Sequence, residues 1–329
     1  MADRAHSITD KKLEQMERRL SAIYSRARKE IGKTWTDYLK EIGRDISDLQ
    51  KEYEKAKRDG DKDAIRKAGI KLSRAKRERT LMDKHYKNLS DQTAAQISNV
   101  NKTALAYING KLPEIYALNY NALEKTVKDI KGYSFELVDA RTVEKLAKSN
   151  KSLLPYKEID ETKDRRWSTR KLNSEVLQGI IQGESMDKIA NRLSNVERMS
   201  LSSAIRNART MVTGAENRGR EDSYIQAEQD GIVLVKEWMS ADDDRTRDSH
   251  RDQSQGGVGG EVAEINEPFS NGLMYPGDPA GDPAEVYNCR CTMVARVKSF
   301  AKVRTTEKPK TLEQISAKGE RRRVLRRGG

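Results

Sequence analysis

The chain has 329 residues, 35% of them charged and 5% aromatic, with a mean hydropathy of −0.89. That balance excludes one large globular core and favours long solvated helices with narrow buried faces. The longest apolar run is about as short as GIVLV, far below the ~20 residues a membrane-crossing helix needs. The polar start, MADRAHSITDKKLEQMERRL, has no leader pattern, and two cysteines exclude a disulfide framework. The expectation is a soluble chain of a reducing cytoplasm, without a membrane partner.

The net charge of +13 is unevenly spread. Residues 1–90 hold 25 Lys/Arg against 16 Asp/Glu, so +9, and residues 301–329 hold 10 against 3, so +7. Between Met239 and Arg290 there are 4 basic and 11 acidic residues, so −7. Basic ends of this kind can neutralise nucleic-acid phosphates, although solvated helices are commonly lysine-rich as well.

In the first ninety residues, Leu13, Met16, Leu20, Ile23, Ala27, Ile31 and Trp35 recur at steps of three or four, and Tyr38, Ile42, Ile46, Leu49, Tyr53 and Ala56 continue the stripe. After a turn at Gly60 it resumes as Ile65, Ala68, Leu72 and Ala75, then Arg79 in an apolar place, then Met82, Tyr86 and Leu89. The spacing predicts two long helices folded back as a hairpin or coiled-coil arm over 1–89, with Gly32 and Gly43 as bending points. A Met/aromatic stripe at this spacing is a packing seam and carries no chemistry.

Residues 90–231 predict a central helical domain. Ser90 or Asp91 caps a new helix, Gly110 ends it, Pro113 enters the next, and Gly132 stops that one. Tyr133, Phe135 and Leu137 alternate with polar residues, as in a short strand or an extended linker. ARTVEKLAKS reads as a short helix, followed by a loop and a helix–turn–helix in which Ser185 caps the second helix. ERMSLSSAIRNARTMVTGAENRGREDSYIQAEQDGI reads as a further long helix with apolar Leu201, Ala204, Ile205, Ala208 and Val212, weakened at Gly214 and Gly219 and ended by Gly231.

The character changes at residue 232. IVLVKEWMSA is β-rich, Gly, Pro and Asp are dense after it, and CTMVARV alternates like a final strand. The fold class is therefore mainly α: a long N-terminal helical hairpin, a central helical domain, a small loop-rich α+β unit over 232–298 with a few strands, and a basic tail over 299–329. Polyanion contact is expected of the tail, at Arg321, Arg322, Arg323, Arg326 and Arg327. A unit of about sixty residues commonly needs a staple.

Both cysteines, Cys289 and Cys291, fall in that unit, with His250 among only three histidines of the chain. Thiolate and imidazole suit Zn²⁺, which takes four tetrahedral ligands, so these three are candidate ligands of a structural zinc whose fourth ligand is unnamed. Other readings stay open: cysteines as small buried hydrophobes, a cysteine nucleophile with His250 as base, or a metal-dependent nuclease or nucleotide-modifying site built on Asp243, His250, Cys289 and Cys291.

Taken together, KEWMSADDDRTRDSHRDQ and EPFSNGLMYPGDPAGDPAEVYNCRC resemble the C-terminal signature of the phage head-morphogenesis family, the Mu F-like and SPP1 gp7-like minor capsid proteins. The residues that carry the resemblance are Trp238, Asp243, Arg247, His250, Phe269, Pro276, Gly277, Asp278, Pro279, Asn288, Cys289, Arg290 and Cys291, within a stretch of about 170–295. The resemblance implies a minor head protein without catalysis, bound to the portal protein during procapsid assembly and carried inside the capsid near the portal. It implies assembly in the host cytoplasm, non-specific contact with packaged double-stranded DNA, and major capsid or scaffolding protein as further partners.

Overall fold

The computed structural model describes residues 3–81 and 84–300; Met82 of the seam and the five tail arginines lie outside them. The helices are α1 (Arg4–Asp45), α2 (Ser47–Asp59), α3 (Lys62–Leu81), α4 (Lys84–Tyr120), α5 (Glu124–Val127), α6 (Ala140–Ser149), α7 (Glu161–Ile181), α8 (Met186–Gln229) and α9 (Pro283–Val286). The strands are β1 (Ile232–Met239), β2 (Val262–Glu264) and β3 (Thr292–Phe300), in one antiparallel sheet of order β2-β1-β3. The fold is thus mainly helical with a small C-terminal sheet. None of the described helices is long and apolar enough to cross a membrane.

The chain forms two compact units, each built from separated segments. One contains residues 18–105 and 158–204. Its core joins Ile31, Trp35, Leu39 and Ile42 of α1 to Leu72, Tyr86 and Ile97, and to Leu172, Val176, Ile189 and Leu193. The indole of Trp35 packs edge-on against Tyr38 and Tyr86 and donates to Thr93 Oγ1 at 3.0 Å, so its one polar atom is satisfied while the ring is buried.

Several expected helix breaks are absent, for a common reason. α1 runs through Gly32 and Gly43 and stops only at Ile46, whose ψ of 11° leaves the helical range. α4 runs through Ser90, Gly110 and Pro113, so Ser90 is a buried helix-interior residue and no helix ends at Gly110. A proline within a helix removes one backbone bond, and packing over several turns outweighs that local cost. Two seam positions also differ: Tyr24 rather than Ile23 is in the core, and Arg79 is exposed while Lys76 and Thr80 are buried. The turn at Gly60 is present, with the left-handed φ of 71° that glycine tolerates. Tyr133, Phe135 and Leu137 lie on an extended linker rather than a strand.

The other unit contains residues 1–17, 106–157 and 205–329. Its centre is the second half of α8, where every residue from Thr210 to Ala227 is buried. A helix buried all round is normally apolar, yet this one carries Glu216, Asn217, Arg218, Arg220, Glu221 and Asp222. They are held in pairs: Arg218 Nε bonds Asp222 Oδ2 at 2.7 Å, Tyr116 Oη donates to the same oxygen at 2.8 Å, and Arg220 donates to Asn119 Oδ1. Gly219 and Gly214 do not weaken α8. A Cβ on Gly219 would lie 2.5 Å from the carbonyl oxygen of Tyr116, so glycine is what lets α4 and α8 approach here.

The N-terminal segment is fastened to the same helix: Asp3 pairs with Arg220, and His6 Nδ1 lies 2.8 Å from Glu216 Oε1. Burial opposes a charge on His6, but the Glu216 carboxylate outweighs it and raises the imidazole from 6.5 to about 9. Because the folded value is the higher one, this stabilisation is complete below the unfolded pKa and is lost as pH rises through about 9. His6→Gln is expected to cost up to about 3 kcal/mol at pH 6 and little at pH 10. Equal losses of melting temperature at both pH values would refute the pairing as the cause.

Candidate metal centre

β1 ends at Met239, and the chain then makes a loop held by its own polar groups before returning along β3. Asp243 accepts from the Arg245 amide and the Thr246 hydroxyl, both at 3.1 Å, and Ser240 Oγ donates to the carbonyl of His250 at 2.8 Å. Arg247 donates to the carbonyl of Tyr287, and Arg290 pairs with Asp243, so the loop is tied to the Asn288–Cys291 segment from both sides. The Arg290 guanidinium holds the Asp243 carboxyl below its ordinary value.

These ties bring His250, Cys289 and Cys291 together, all buried, with their candidate ligand atoms within 4.8 Å of one another. His250 Nδ1 is 3.6 Å from Cys289 Sγ and 3.7 Å from Cys291 Sγ. Tetrahedral zinc, with Zn–S of about 2.3 Å and Zn–N of about 2.0–2.1 Å, places nitrogen and sulfur roughly 3.5 Å apart, so the spans fit. The other ring nitrogen, Nε2, lies 2.7 Å from Glu285 Oε2, which also accepts from Ser249 Oγ at 2.9 Å. A carboxylate on the far nitrogen of a histidine fixes the tautomer that presents a lone pair at Nδ1, as metal-bound histidines require.

The sulfurs are prepared in the same sense. The Cys289 thiol donates to Cys291, and this bond, helped by His250 and the Ala241 amide, brings Cys291 down to about 5 against the opposing effect of burial. The same bond and burial push Cys289 well up. The help that His250 gives Cys291 needs a proton on Nδ1, which a cation would displace on binding; sulfur beside imidazole suits a soft cation. Trp238 forms the wall, with its ring edge-on to His250 at 5.0 Å and to Phe269 at 5.1 Å. Among the described residues the cluster has three such ligands. Asp243 is committed to Arg290 and does not join it, so the alternative site drawn from Asp243, His250 and the cysteines is not assembled.

The remaining signature residues shape the backbone around this centre. Asp278, inside the Pro276–Pro279 turn, accepts from the Ala280 amide at 2.9 Å and the Met274 amide at 3.3 Å. Gly277 has φ of 79°, and a Cβ there would lie 3.0 Å from the Gly214 nitrogen, so the turn sits directly on α8 at a glycine of each. Asn288, also at positive φ, receives Arg209 on its side-chain oxygen.

A stripe of α8 side chains holds the cysteine strand. Thr210 Oγ1 accepts the Asn288 amide at 2.9 Å, and Thr213 Oγ1 donates to the Cys289 carbonyl at 2.6 Å. Asn217 donates to the Cys291 carbonyl and accepts the Met293 amide, both at 3.1 Å, and Arg220 donates to the Met293 carbonyl at 3.0 Å. Sequence reasoning missed these residues and Glu285. Thr210, Thr213, Asn217 and Arg220 do recur at helical steps, but a polar stripe on a helix ordinarily faces water.

Residues 170–294 match the family model described as Phage Mu protein F like protein. The chain is 26% identical over 286 residues to the minor head protein GP7 of Bacillus phage SPP1, covering 85% of each chain. It is also 26% identical over 125 residues to the NAD(+)--arginine ADP-ribosyltransferase EFV of Enterococcus faecalis (strain ATCC 700802 / V583), a match that spans 37% of this chain and 25% of that enzyme. No solved structure matches.

Proposed function

We propose, on the premise that residues 170–294 belong to the phage Mu protein F like family, that this chain is a minor head protein acting in phage head morphogenesis. The observation that carries the reading is the likeness to the SPP1 minor head protein, which runs along 85% of both chains rather than through one shared module. In this reading the protein is a virion component that binds the portal region as the procapsid assembles and lies inside the capsid near it. It acts as an assembly element rather than a catalyst. The likeness to the ADP-ribosyltransferase spans only a quarter of that enzyme, and its activity is not carried over.

The basic ends are assigned to packaged DNA, the first ninety residues by their charge of +9 and the tail by Arg321, Arg322, Arg323, Arg326 and Arg327. The acidic 239–290 segment repels phosphate and is suited to protein contact. His250, Cys289 and Cys291 are assigned to a structural Zn²⁺ that fastens β3 to the loop after β1.

Quantitative mass spectrometry of procapsids and mature particles tests the role. A small fixed number of copies per portal ring in both is expected; absence from both refutes it. DNA binding is expected to ignore sequence and to fall about 10³-fold or more between ~50 and ~200 mM salt if six or more phosphates are contacted. An affinity unchanged over that range would remove DNA from the assignment.

A further inference from the structure

In the unit built from residues 18–105 and 158–204, an open groove of about 850 Å³ runs between α3 and the last turn of α7. Its apolar surface is unusual for this chain. Ile70 is 61% exposed, Leu177 40% and Ile181 74%, and all three line this groove, although only nine large hydrophobic side chains are exposed among the described residues. Ile70 falls off the stripe of buried Ala68 and Leu72 and half-buried Ala75, so packing within the unit does not account for it. On the same face of α3, at steps of three or four, stand Arg66, Arg74 and Arg77. The groove lining contains four basic residues and no acidic one.

We infer that this groove is a docking site for an acidic amphipathic helix of a partner protein. An apolar trough between two helices accepts the ridge of a third, whose anchors recur at i, i+3, i+4 and i+7. Arg74 pairs with Glu78 at 2.8 Å and the buried Lys76 donates to the Glu184 carbonyl, so Arg66 and Arg77 on the α3 wall are the ones that select carboxylates on the flanks of that ridge and disfavour basic partners. From Ile65 to Arg77 the wall is about 18 Å long at 1.5 Å per residue, which matches an occupant of three to four turns. Nucleic acid fits less well, because phosphates gain nothing from Ile70, Leu177 and Ile181. A lipid surface would engage protruding apolar side chains, whereas these line a concavity. A second copy fits less well, because among the described residues its acidic 239–290 segment has no helix longer than the four-residue α9 and so offers no ridge of three turns. The inference rests on this surface and not on the head-protein reading.

The test places a benzophenone amino acid at Ile181 of the full chain, made from its own gene in its native genomic context, and identifies the photo-crosslinked peptide by mass spectrometry. The expected product joins position 181 to a helical segment of another protein rich in Asp and Glu, with a yield at least about tenfold lower in Arg66→Glu/Arg77→Glu. Both arginines are exposed, so the double variant should keep its fold, which circular dichroism and melting check. A charge-reversed partner segment should restore the yield. A crosslink to DNA, to lipid or to a second copy overturns the inference, as does a yield indifferent to the charge reversal or no crosslink at all. Copies of the chain in particles are counted separately, so failure of the groove and failure of the head-protein reading give different results.

Discussion

Anaerobically purified protein is expected to carry one zinc per chain and to lose about 8–16 °C of melting temperature when the metal is chelated. A ligand present at 1,000 times its Kd stabilises the folded state by about 4 kcal/mol, and in a domain of 150–250 residues each kcal/mol moves the midpoint by about 2–4 °C. Cys291→Ser and His250→Ala should reproduce the chelated melt and gain nothing further from chelation, because both treatments remove the same contribution. Glu285→Gln should be milder: its carboxylate meets His250 Nε2 at 2.7 Å and only orients the ring, so zinc affinity should fall about 10–100-fold with binding retained at high zinc. Protein without zinc, with a melt indifferent to chelator, would leave Cys289 and Cys291 as packing groups. The Cys291 thiolate and the Glu285 contact would then belong to a metal-free hydrogen-bond cluster around His250.

What the sequence discloses about this centre is chemistry and chain position, and what it withholds is contact geometry. Cys289, Cys291 and His250 can be gathered by residue type alone, since only two cysteines and three histidines exist to choose from. β1 is legible from its β-rich run IVLV and β3 from the alternation in CTMVARV, the period of a half-buried strand. Glu285 is hidden among 11 acidic residues in the same segment, and nothing local says which of them will reach a buried imidazole. Asp243 misleads for the converse reason: Arg290, 47 residues away in sequence, claims its carboxylate.

The helices show a similar division. Ser185 is legible as a cap, and its Oγ accepts the Lys188 amide at 3.3 Å. Gly110, Pro113, Gly214 and Gly219 suggest breaks because local propensity treats such residues as defects. In α8 a glycine marks instead where another backbone comes close, and that is a property of the partner helix and not of the local sequence. The compact units are assembled from separated segments, a division that no composition shift along the chain announces.

The second large effect is expected at Asn217, which is 0% exposed and bridges α8 to the cysteine strand. Its amide donates to the carbonyls of Thr213 and Cys291, and its oxygen accepts from the Met293 amide, all at 3.1 Å, while the Thr292 hydroxyl beside that oxygen gives its one proton to the nearer Glu216 Oε1 at 2.8 Å. An asparagine side chain offers two donors, and here both are used. Asn217→Leu keeps similar volume but leaves the Cys291 carbonyl and the Met293 amide buried without these partners. At about 1–3 kcal/mol for each of these two groups, the loss should be roughly 2–6 kcal/mol, or about 4–24 °C of melting temperature. Asn217→Asp keeps the acceptors, loses both donors and buries a charge next to Glu216, so it should be no better than leucine. If α8 sets the path of the cysteine strand, Asn217→Leu should also weaken zinc binding although Asn217 touches none of the three ligand atoms. A leucine variant that melts normally and binds zinc as wild type would mean that Cys289 and Cys291 are positioned by the His250 loop alone, with α8 merely lying alongside.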